Sequence, residues 1–331
     1  MSTLDAQRPS VPGATEGLAR SPRGSLRSRI GGRQGRNWWF LAFVAPFTVG
    51  LLLFVYIPIV WSAYLSFFDA RNTVTPTRFV GLANYRYLLG DPLFRNSILT
   101  FIGFSAFIVP LTFVASLSLA LLLDGIKTGQ AFFRSVFFIP TAVSYVIAAM
   151  IWRLAFFSGT RFGLANSLLR SLGGENVNWL GGTNQWYWLV LVSLRLWLQA
   201  GFYMILFIAG LNKIPLETYE AAALDGATGW RRLRFITLPQ LRSTSVAVLM
   251  LLLIGAFQAF DEFFNTLGSM GNYPPYARPP LVHLYLISLG GGQQDLGLGG
   301  AGTMIITALI VFFGLLQNWL VTRSERKEAG L

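Results

Sequence analysis

Polar side chains of complementary chemistry lie inside a long apolar stretch of this sequence. Arg195, Gln199 and Tyr203 follow one another at intervals of four residues, so a helix carries them on one face. Ionisable groups within apolar segments are costly and are usually functional. Guanidinium, amide and phenol groups can hydrogen-bond the hydroxyls of a polyol, and Trp197 adds an aromatic surface against which such a molecule can pack.

A second set of polar and aromatic side chains lies further along the chain: Gln258, Phe260, Asp261 and Asn265. On one helix its polar members share a face, at spacings of i+3 and i+7. We predict that both sets line a path for a polar solute. The alternative is an inter-subunit ion pair of the Arg195–Asp261 type that only locks helices together. Glu262, on another face, could also take that role.

No catalytic machinery is recognisable in the sequence. There is no Ser-His-Asp pattern and no paired-carboxylate site. The stretch from Gly125 to Thr128 lacks the earlier glycine and the preceding strand of an ATP-binding loop. The chain has no cysteine and a single histidine, His283, so a thiolate or histidine metal centre is not expected. We therefore predict no catalytic residue, no metal site and no enzymatic activity.

The composition indicates a membrane protein. Of the 331 residues, 53% are hydrophobic and 12% are charged, whereas soluble proteins have roughly a quarter charged residues. The apolar residues are concentrated in spans of about twenty, which is the length that crosses a bilayer as a helix. The net charge of +12 does not indicate nucleic-acid binding, because arginines at the edge of a membrane protein give the same total.

The hydropathy pattern predicts an all-α polytopic membrane protein with six transmembrane helices. Residues 1–37 are polar and basic and are expected to form a disordered tail. Residues 38–322 are the membrane domain, and residues 323–331 form a second tail. The predicted spans are residues 38–67, 97–123, 132–156, 186–211, 243–267 and 300–322.

The distribution of basic residues predicts the orientation. With six spans both termini lie on one side, and seventeen of the 26 Lys and Arg residues fall on that side. Basic residues accumulate in cytoplasmic segments. Both termini, and the polar segment between the fourth and fifth spans, are therefore expected in the cytoplasm.

The polar segment at residues 215–239 is patterned as two short helices separated by a turn. Pro215 suits the start of a helix, and the acidic residues Glu217 and Glu220 lie where they favour the helix dipole. Gly226 ends the first helix, and Pro239 lies where the fifth span begins. One interpretation is an amphipathic hairpin that rests on lipid headgroups. The other is a surface that docks on a cytoplasmic protein.

The motifs of this segment resemble a known family signature. Glu220-Ala221-Ala222, Asp225-Gly226-Ala227 and the closing Pro239 are similar to the EAA signature of permease subunits from binding-protein-dependent ABC importers. Two further motifs, in residues 79–85 and 91–94, resemble the loop after the first span in sugar permeases. The likeness covers about residues 40–322. It is closest to the F-type subunit of the maltose-transporter-like branch, whose permeases have the MetI-like fold.

The resemblance implies a set of partners and roles. A second permease subunit would complete the pathway, two ABC ATPase subunits would bind ATP and Mg, and an extracytoplasmic binding protein would deliver the solute. Membrane lipid would surround the chain, which itself would bind no cofactor. The coupling helix that docks on the ATPase would involve seven residues: Glu220, Ala221, Ala222, Asp225, Gly226, Ala227 and Pro239.

The resemblance also implies a location and a class of solute. The chain would be a multi-pass protein of a bacterial or archaeal cytoplasmic membrane, importing a sugar, an oligosaccharide or a polyol such as glycerol-3-phosphate. The competing hypothesis is a self-contained secondary transporter or channel. That class predicts internal repeats with paired broken helices, which the sequence does not show.

Overall fold

The computed structural model describes residues 26–126, 128–181, 185–268, 277–290 and 294–328. It divides into two units, Met1–Ile59 and Val60–Leu331. The α-helices are α1 (Leu26–Leu51), α2 (Ile57–Leu65), α3 (Ala83–Gly90), α4 (Pro92–Asp124), α5 (Gln130–Phe138), α6 (Tyr145–Ile151), α7 (Leu164–Ser171), α8 (Tyr187–Leu211), α9 (Leu216–Leu224), α10 (Gly229–Arg232), α11 (Leu238–Gln240), α12 (Arg242–Phe257), α13 (Asp261–Leu267), α14 (Pro280–Ser288) and α15 (Leu296–Glu328).

Wider or tighter helical turns and one small sheet complete the secondary structure. The π-helical turns are Leu52–Tyr56, Trp152–Phe156 and Leu233–Thr237, and a 3-10 turn covers Ile139–Ala142. The strands β1 (Phe68–Asp69) and β2 (Arg78–Phe79) pair antiparallel. Long apolar helices satisfy their own backbone groups, which is what a lipid environment requires.

The helices agree with a membrane-embedded chain. Four helical segments in the described part are long and apolar enough to cross a bilayer: Trp38–Leu65, Pro92–Asp124, Tyr187–Leu211 and Leu296–Gln317. Two bent helix pairs, Gln130–Ala142 with Tyr145–Phe156 and Gly229–Gln240 with Arg242–Phe257, raise the number to six if each counts as one span. The all-α fold class is thus confirmed, and the count of six stays a prediction.

Helix α1 starts before residue 38, where the first membrane span is predicted to begin. Residues 1–25 lie outside the described part of the chain. Helix α1 begins at Leu26, inside the segment predicted to be a disordered tail.

The third predicted span is broken in the middle. Its two halves, Gln130–Ala142 and Tyr145–Phe156, meet at an angle of 98°. Pro140 lies in the 3-10 turn, and Ser144 starts the second half by accepting a hydrogen bond from the amide of Val146 at 3.3 Å. A proline that removes one helical bond and a serine N-cap that begins a new helix explain the break.

The fifth predicted span, residues 243–267, is also interrupted. Helix α12 ends at Phe257, where the amides of Gln258 and Ala259 make tight i-to-i−3 bonds. Helix α13 then starts at Asp261 with two acidic residues in its first turn, where the helix dipole favours negative charge. Hydropathy averaged over the span does not reveal this break, because apolar residues outnumber the few polar ones on both sides of it.

Within the second unit, α4 and α8 form the centre of the core. Phe104 and Ile108 of α4 pack in one buried cluster with Leu191 and Leu194 of α8 and with Phe263 of α13. Helix α8 also approaches α5 closely, because it carries Gly201, where a Cβ would collide with the carbonyl oxygen of Phe137 in α5. Small residues at such crossings are typical of membrane helices.

Side-chain hydrogen bonds stabilise the segment between β2 and α4. The amide of Asn84 donates to the carbonyls of Ser66 and Phe68 at 2.9 and 3.0 Å. Asp91 caps α4 by accepting from the amides of Leu93 and Phe94. These residues belong to the motifs at residues 79–85 and 91–94, so both motifs serve to hold the start of α4 in place.

Candidate functional site

Arg195 forms a buried ion pair with Glu262. Arg195 lies in the middle of α8, and its Nη1 donates to Oε1 of Glu262 in the first turn of α13. Both residues are 2% exposed. An isolated charge at this depth is very costly, so each side chain neutralises the other. The pair joins α8 to the short helix that follows the break in the fifth predicted span.

Within the chain, the ion-pair partner of Arg195 is Glu262, the second candidate that the sequence offered, and not Asp261. Asp261 is exposed, and its backbone carbonyl accepts a hydrogen bond from Asn265 at 2.8 Å. The helix break explains the difference, because α13 turns the side chain of Glu262 rather than that of Asp261 towards α8. The sequence offered Glu262 only as a second possibility.

Gln199 extends the ion pair into a small polar network. Its Oε1 accepts from Nε of Arg195 at 3.3 Å, and its Nε2 donates to the hydroxyl of Tyr145 at 2.9 Å. The guanidinium also lies 5.5 Å from the centre of the Phe104 ring. Tyr145 is the first residue of α6, so the network reaches the helix that follows the other break.

Tyr203 lies beside this network. A Cβ at Gly255 of α12 would lie 3.6 Å from Nη2 of Arg195 and 3.8 Å from the hydroxyl of Tyr203. Arg195, Gln199 and Tyr203 thus lie on one side of α8, as their spacing predicts. Trp197 points elsewhere: its ring is 4.9 Å from that of Trp152, and 38% of the residue is exposed.

The second predicted set is divided by the helix break. Gln258 is exposed and lies just after the end of α12, whereas Asp261 and Asn265 both lie in α13, so Gln258 does not share a helix face with them. Phe260 stacks on Phe264 with ring centres 5.1 Å apart, and Tyr285 of α14 packs edge-on against both. This aromatic cluster is the part of the second set that the structure brings together.

Sequence reasoning missed Tyr145 and Tyr285. A signal existed for Tyr145, because Pro140 and Ser144 mark a helix restart just before it. Tyr285 had no such signal, since its contact depends on the fold of α14 against α13. Among the described residues, no three His, Cys, Asp or Glu side chains come together in a way that could hold a metal ion.

The segment between α8 and α12 forms two short helices with a tight turn. At the end of α9, Gly226 has φ +75°, a conformation that favours glycine. Its amide donates to the carbonyl of Ala223 at 3.1 Å, and the amide of Ala227 donates to that of Ala222 at 2.8 Å. This pair of bonds is the Schellman ending of a helix.

The turn leaves one face of α9 open. Glu220, Ala221, Asp225 and Gly226 are exposed, whereas Ala222 is only 6% exposed and faces the protein. The apolar Leu224 is 92% exposed. Small side chains, the carboxylates of Glu220 and Asp225 and an exposed leucine give this face the character of a docking surface.

Tyr219 of α9 contacts the helical segment Gly229–Gln240 through a cation–π contact and through a 3.5 Å hydrogen bond from the hydroxyl of Thr237. The guanidinium of Arg232 lies 5.4 Å from the centre of the Tyr219 ring. A cavity of about 360 Å³ lies between this contact and the C-terminal end of α4, with Asp124 and Thr237 among its lining residues. Pro239 is exposed in α11, just before the bend into α12.

Comparison with known families decides the class of this protein. The family described as "Binding-protein-dependent transport system inner membrane component" matches residues 114–328. The chain belongs to this family. Its members are inner-membrane components of transport systems, which accounts for the apolar helices.

Several relatives are similar over most of their length. A probable ABC transporter permease of Pyrococcus horikoshii, PH1215, is 33% identical over 67% of this chain and 76% of the relative. The trehalose/maltose transport system permease MalF of Thermococcus litoralis is 29% identical over 88% and 96%. The arabinooligosaccharides transport system permease AraP of Bacillus subtilis is 32% identical over 83% and 86%.

A solved structure shares the fold. It is a bacterial ABC transporter that imports the acidic polysaccharide alginate, and it superposes with a TM-score of 0.79 at 23% identity, covering 89% of this chain and 99% of the other. The ABC permease fold expected from the sequence is therefore confirmed.

Proposed function

We propose that this chain is one of two different permease subunits of an ATP-driven importer for a sugar, an oligosaccharide or a related polyol. Six membrane spans with both termini in the cytoplasm would form half of the pathway. Two ATPase subunits would bind and hydrolyse ATP with Mg, and an extracytoplasmic binding protein would deliver the solute. Support for the solute class comes from the relatives, several of which are named for sugar or oligosaccharide transport.

The observation that carries the coupling role is the exposed face of α9. A helix that ends in a Schellman turn is rigid, and it presents Glu220 and Ala221 away from the protein. Glu220 would pair with a basic residue of the ATPase, and Ala221 would allow close approach. Movement of the ATPase would then be passed to α12 through the continuous helical stretch Gly229–Gln240.

The polar network around Arg195 is suited to the part of the solute pathway that lies inside the membrane. Glu262 neutralises Arg195, so the solute need not meet a free charge. Gln199 and Tyr203 offer neutral hydrogen-bonding groups, while Trp197 and Phe260 offer aromatic surfaces. We propose that Arg195 positions these groups and does not bind the solute directly. Gln258, Asp261 and Asn265 are exposed or half-buried and would line the path on the external side of the network.

Transport by the assembled importer in liposomes tests this function. With ATP on the ATPase side and the binding protein on the other, labelled maltose-type oligosaccharides should accumulate inside, and omission of either component should stop the uptake. Accumulation that is driven by an ion gradient, by this chain alone and without ATP, would support the self-contained secondary transporter instead.

A further inference from the structure

The coupling segment is the stretch between α8 and α12. Its second half, residues Gly229–Gln240, presents a surface that is separate from the exposed face of α9. Helical residues Gly229–Gln240 meet α12 at a bend of 70°. If α12 crosses the membrane, this segment lies close to the membrane plane at the end of the span. Its inner side is half-buried or buried, with Leu233, Ile236 and Thr237 turned towards the protein.

The outer side combines large aromatic and basic side chains. Trp230 is 68% exposed and Phe235 is 66% exposed, and Arg231 and Arg234 beside them are exposed as well. The guanidinium of Arg234 lies 5.9 Å from the centre of the Phe235 ring. We call these four residues the interfacial face. Aromatic rings at headgroup depth with flanking arginines are typical of helices that lie in a membrane interface.

The two arginines of the interfacial face form no ion pair within the described residues. The ion pairs found there involve other basic residues, and Arg232, the third arginine of this segment, is turned back over Tyr219. Neither Arg231 nor Arg234 forms an ion pair with the acidic residues of α9 and its C-cap, which are Glu217, Glu220 and Asp225. The face therefore offers two uncompensated positive charges next to apolar rings.

We propose that the interfacial face is a binding site for anionic lipid headgroups. Arg231 and Arg234 would hold the phosphate, and Trp230 and Phe235 would insert beside the acyl chains. Because a basic side chain near an anionic surface contributes about 1 kcal/mol, each arginine enriches the charged lipid roughly fivefold. This role is additional to the proposed roles in transport and ATPase coupling. Lipid binding would hold the helical segment that leads into α12 at a fixed depth in the membrane.

A site-specific label tests the proposal because the chain has no cysteine. A bimane on Phe235→Cys in the full chain, held in nanodiscs, reports contact with spin-labelled lipids. Spin-labelled phosphatidylglycerol should quench it several-fold more than spin-labelled phosphatidylcholine at equal content. Raising the salt to about 0.5 M should reduce the difference, because screening weakens exposed charges.

Matched variants separate charge from mere proximity. Replacing Arg231 and Arg234 together with Gln should bring the quenching by the two lipids close to equal. Replacing Arg161 and Arg170, which are exposed outside this segment, should leave the preference unchanged. The same label on Leu224→Cys, exposed on α9, should show no preference.

Other outcomes would overturn the proposal. Equal quenching of the Phe235→Cys label by both lipids would show that the face does not select anionic headgroups. If the label loses contact with lipid once the ATPase subunits are bound, the face belongs to the ATPase interface. The lipid measurement needs neither solute nor ATP, so its failure leaves the transport function untouched, and a failed transport assay leaves the lipid site untouched.

Discussion

At the scale of single residues, the stability of the second unit depends on the buried ion pair between Arg195 and Glu262. Arg195→Gln leaves a buried carboxylate without its partner, which we expect to cost about 3–5 kcal/mol. The replacement of both residues, Arg195→Met with Glu262→Leu, removes both charges and should restore most of this stability. Thermal unfolding of the full chain in detergent measures the difference.

Asp261 provides the control for that experiment. It is exposed and adjacent to Glu262, so Asp261→Asn should change the unfolding temperature little. If Arg195→Gln is no less stable than Asp261→Asn, the ion pair contributes nothing. If the double replacement is folded but its solute-stimulated ATP hydrolysis falls, the pair also positions groups of the pathway.

His283 provides a second prediction at this scale, because it is the only histidine of the chain. It is 1% exposed in α14, with Nε2 at 3.5 Å from Oδ2 of Asp91. Burial lowers the pKa of His283 below 6.5; the carboxylate of Asp91 opposes this effect, and Arg278 adds to it. The unfolded chain therefore takes up a proton at a higher pH than the folded chain.

The sign of the pH effect follows from this depressed pKa. The contribution of neutral His283 is fully present above pH 6.5, and it decreases as the pH falls below that value. The unfolding temperature should drop between about pH 7.5 and about pH 5.5. His283→Gln should flatten the profile in this range. An identical drop in the variant would assign the pH dependence to other groups.

The residue-scale comparison shows where sequence reasoning works. Spacing correctly predicted that Arg195, Gln199 and Tyr203 share a face, because α8 is one unbroken helix. It failed for Gln258, because α12 ends at Phe257 and separates this residue from Asp261 and Asn265 in α13. Backbone breaks of this kind depend on packing against other helices, which hydropathy does not encode.

At the scale of elements, the turn between α9 and α10 is the critical part of the coupling segment. Proline at Gly226 removes the amide that bonds the carbonyl of Ala223, and its φ near −65° is incompatible with +75°. Gly226→Pro should therefore release the ATPase subunits during purification while the chain still inserts. Gly226→Asn should retain them, because Asn tolerates this conformation.

Gly173 is a matched control for Gly226. It has φ +84°, and it ends α7 with the same pair of bonds, from Gly173 to Arg170 and from Gly174 to Leu169. Gly173→Pro should disturb its own loop to a similar degree without loss of the ATPase. Loss of the ATPase in both variants would indicate general misfolding and not a specific joint.

Element boundaries were predictable only in part. Helix α8 (Tyr187–Leu211) lies close to the predicted span 186–211 because the hydropathy changes sharply at its ends. The breaks after Ala142 and Phe257 were not predicted, although each is followed by a recognisable N-terminal signal, a serine cap at Ser144 and two acids at Asp261 and Glu262. A search for such signals inside apolar runs would improve the prediction of broken spans.

At the scale of the whole molecule, the central claim is that α9 is the contact with an ATPase. The chain has no cysteine, so a single cysteine gives an unambiguous cross-link. Ala221 and Leu172 are both exposed, the latter at the end of α7, and they are predicted to lie on opposite sides of the membrane. A benzophenone attached to each in turn, in membranes that contain the assembled importer, reports the neighbouring subunit.

The account predicts that Ala221→Cys gives an adduct of this chain with the ATPase subunit, and that Leu172→Cys gives none. Glu220→Lys in the same chain should weaken the adduct, because the expected partner residue on the ATPase is basic. An ATPase adduct from Leu172→Cys, or only lipid adducts from Ala221→Cys, would contradict the account.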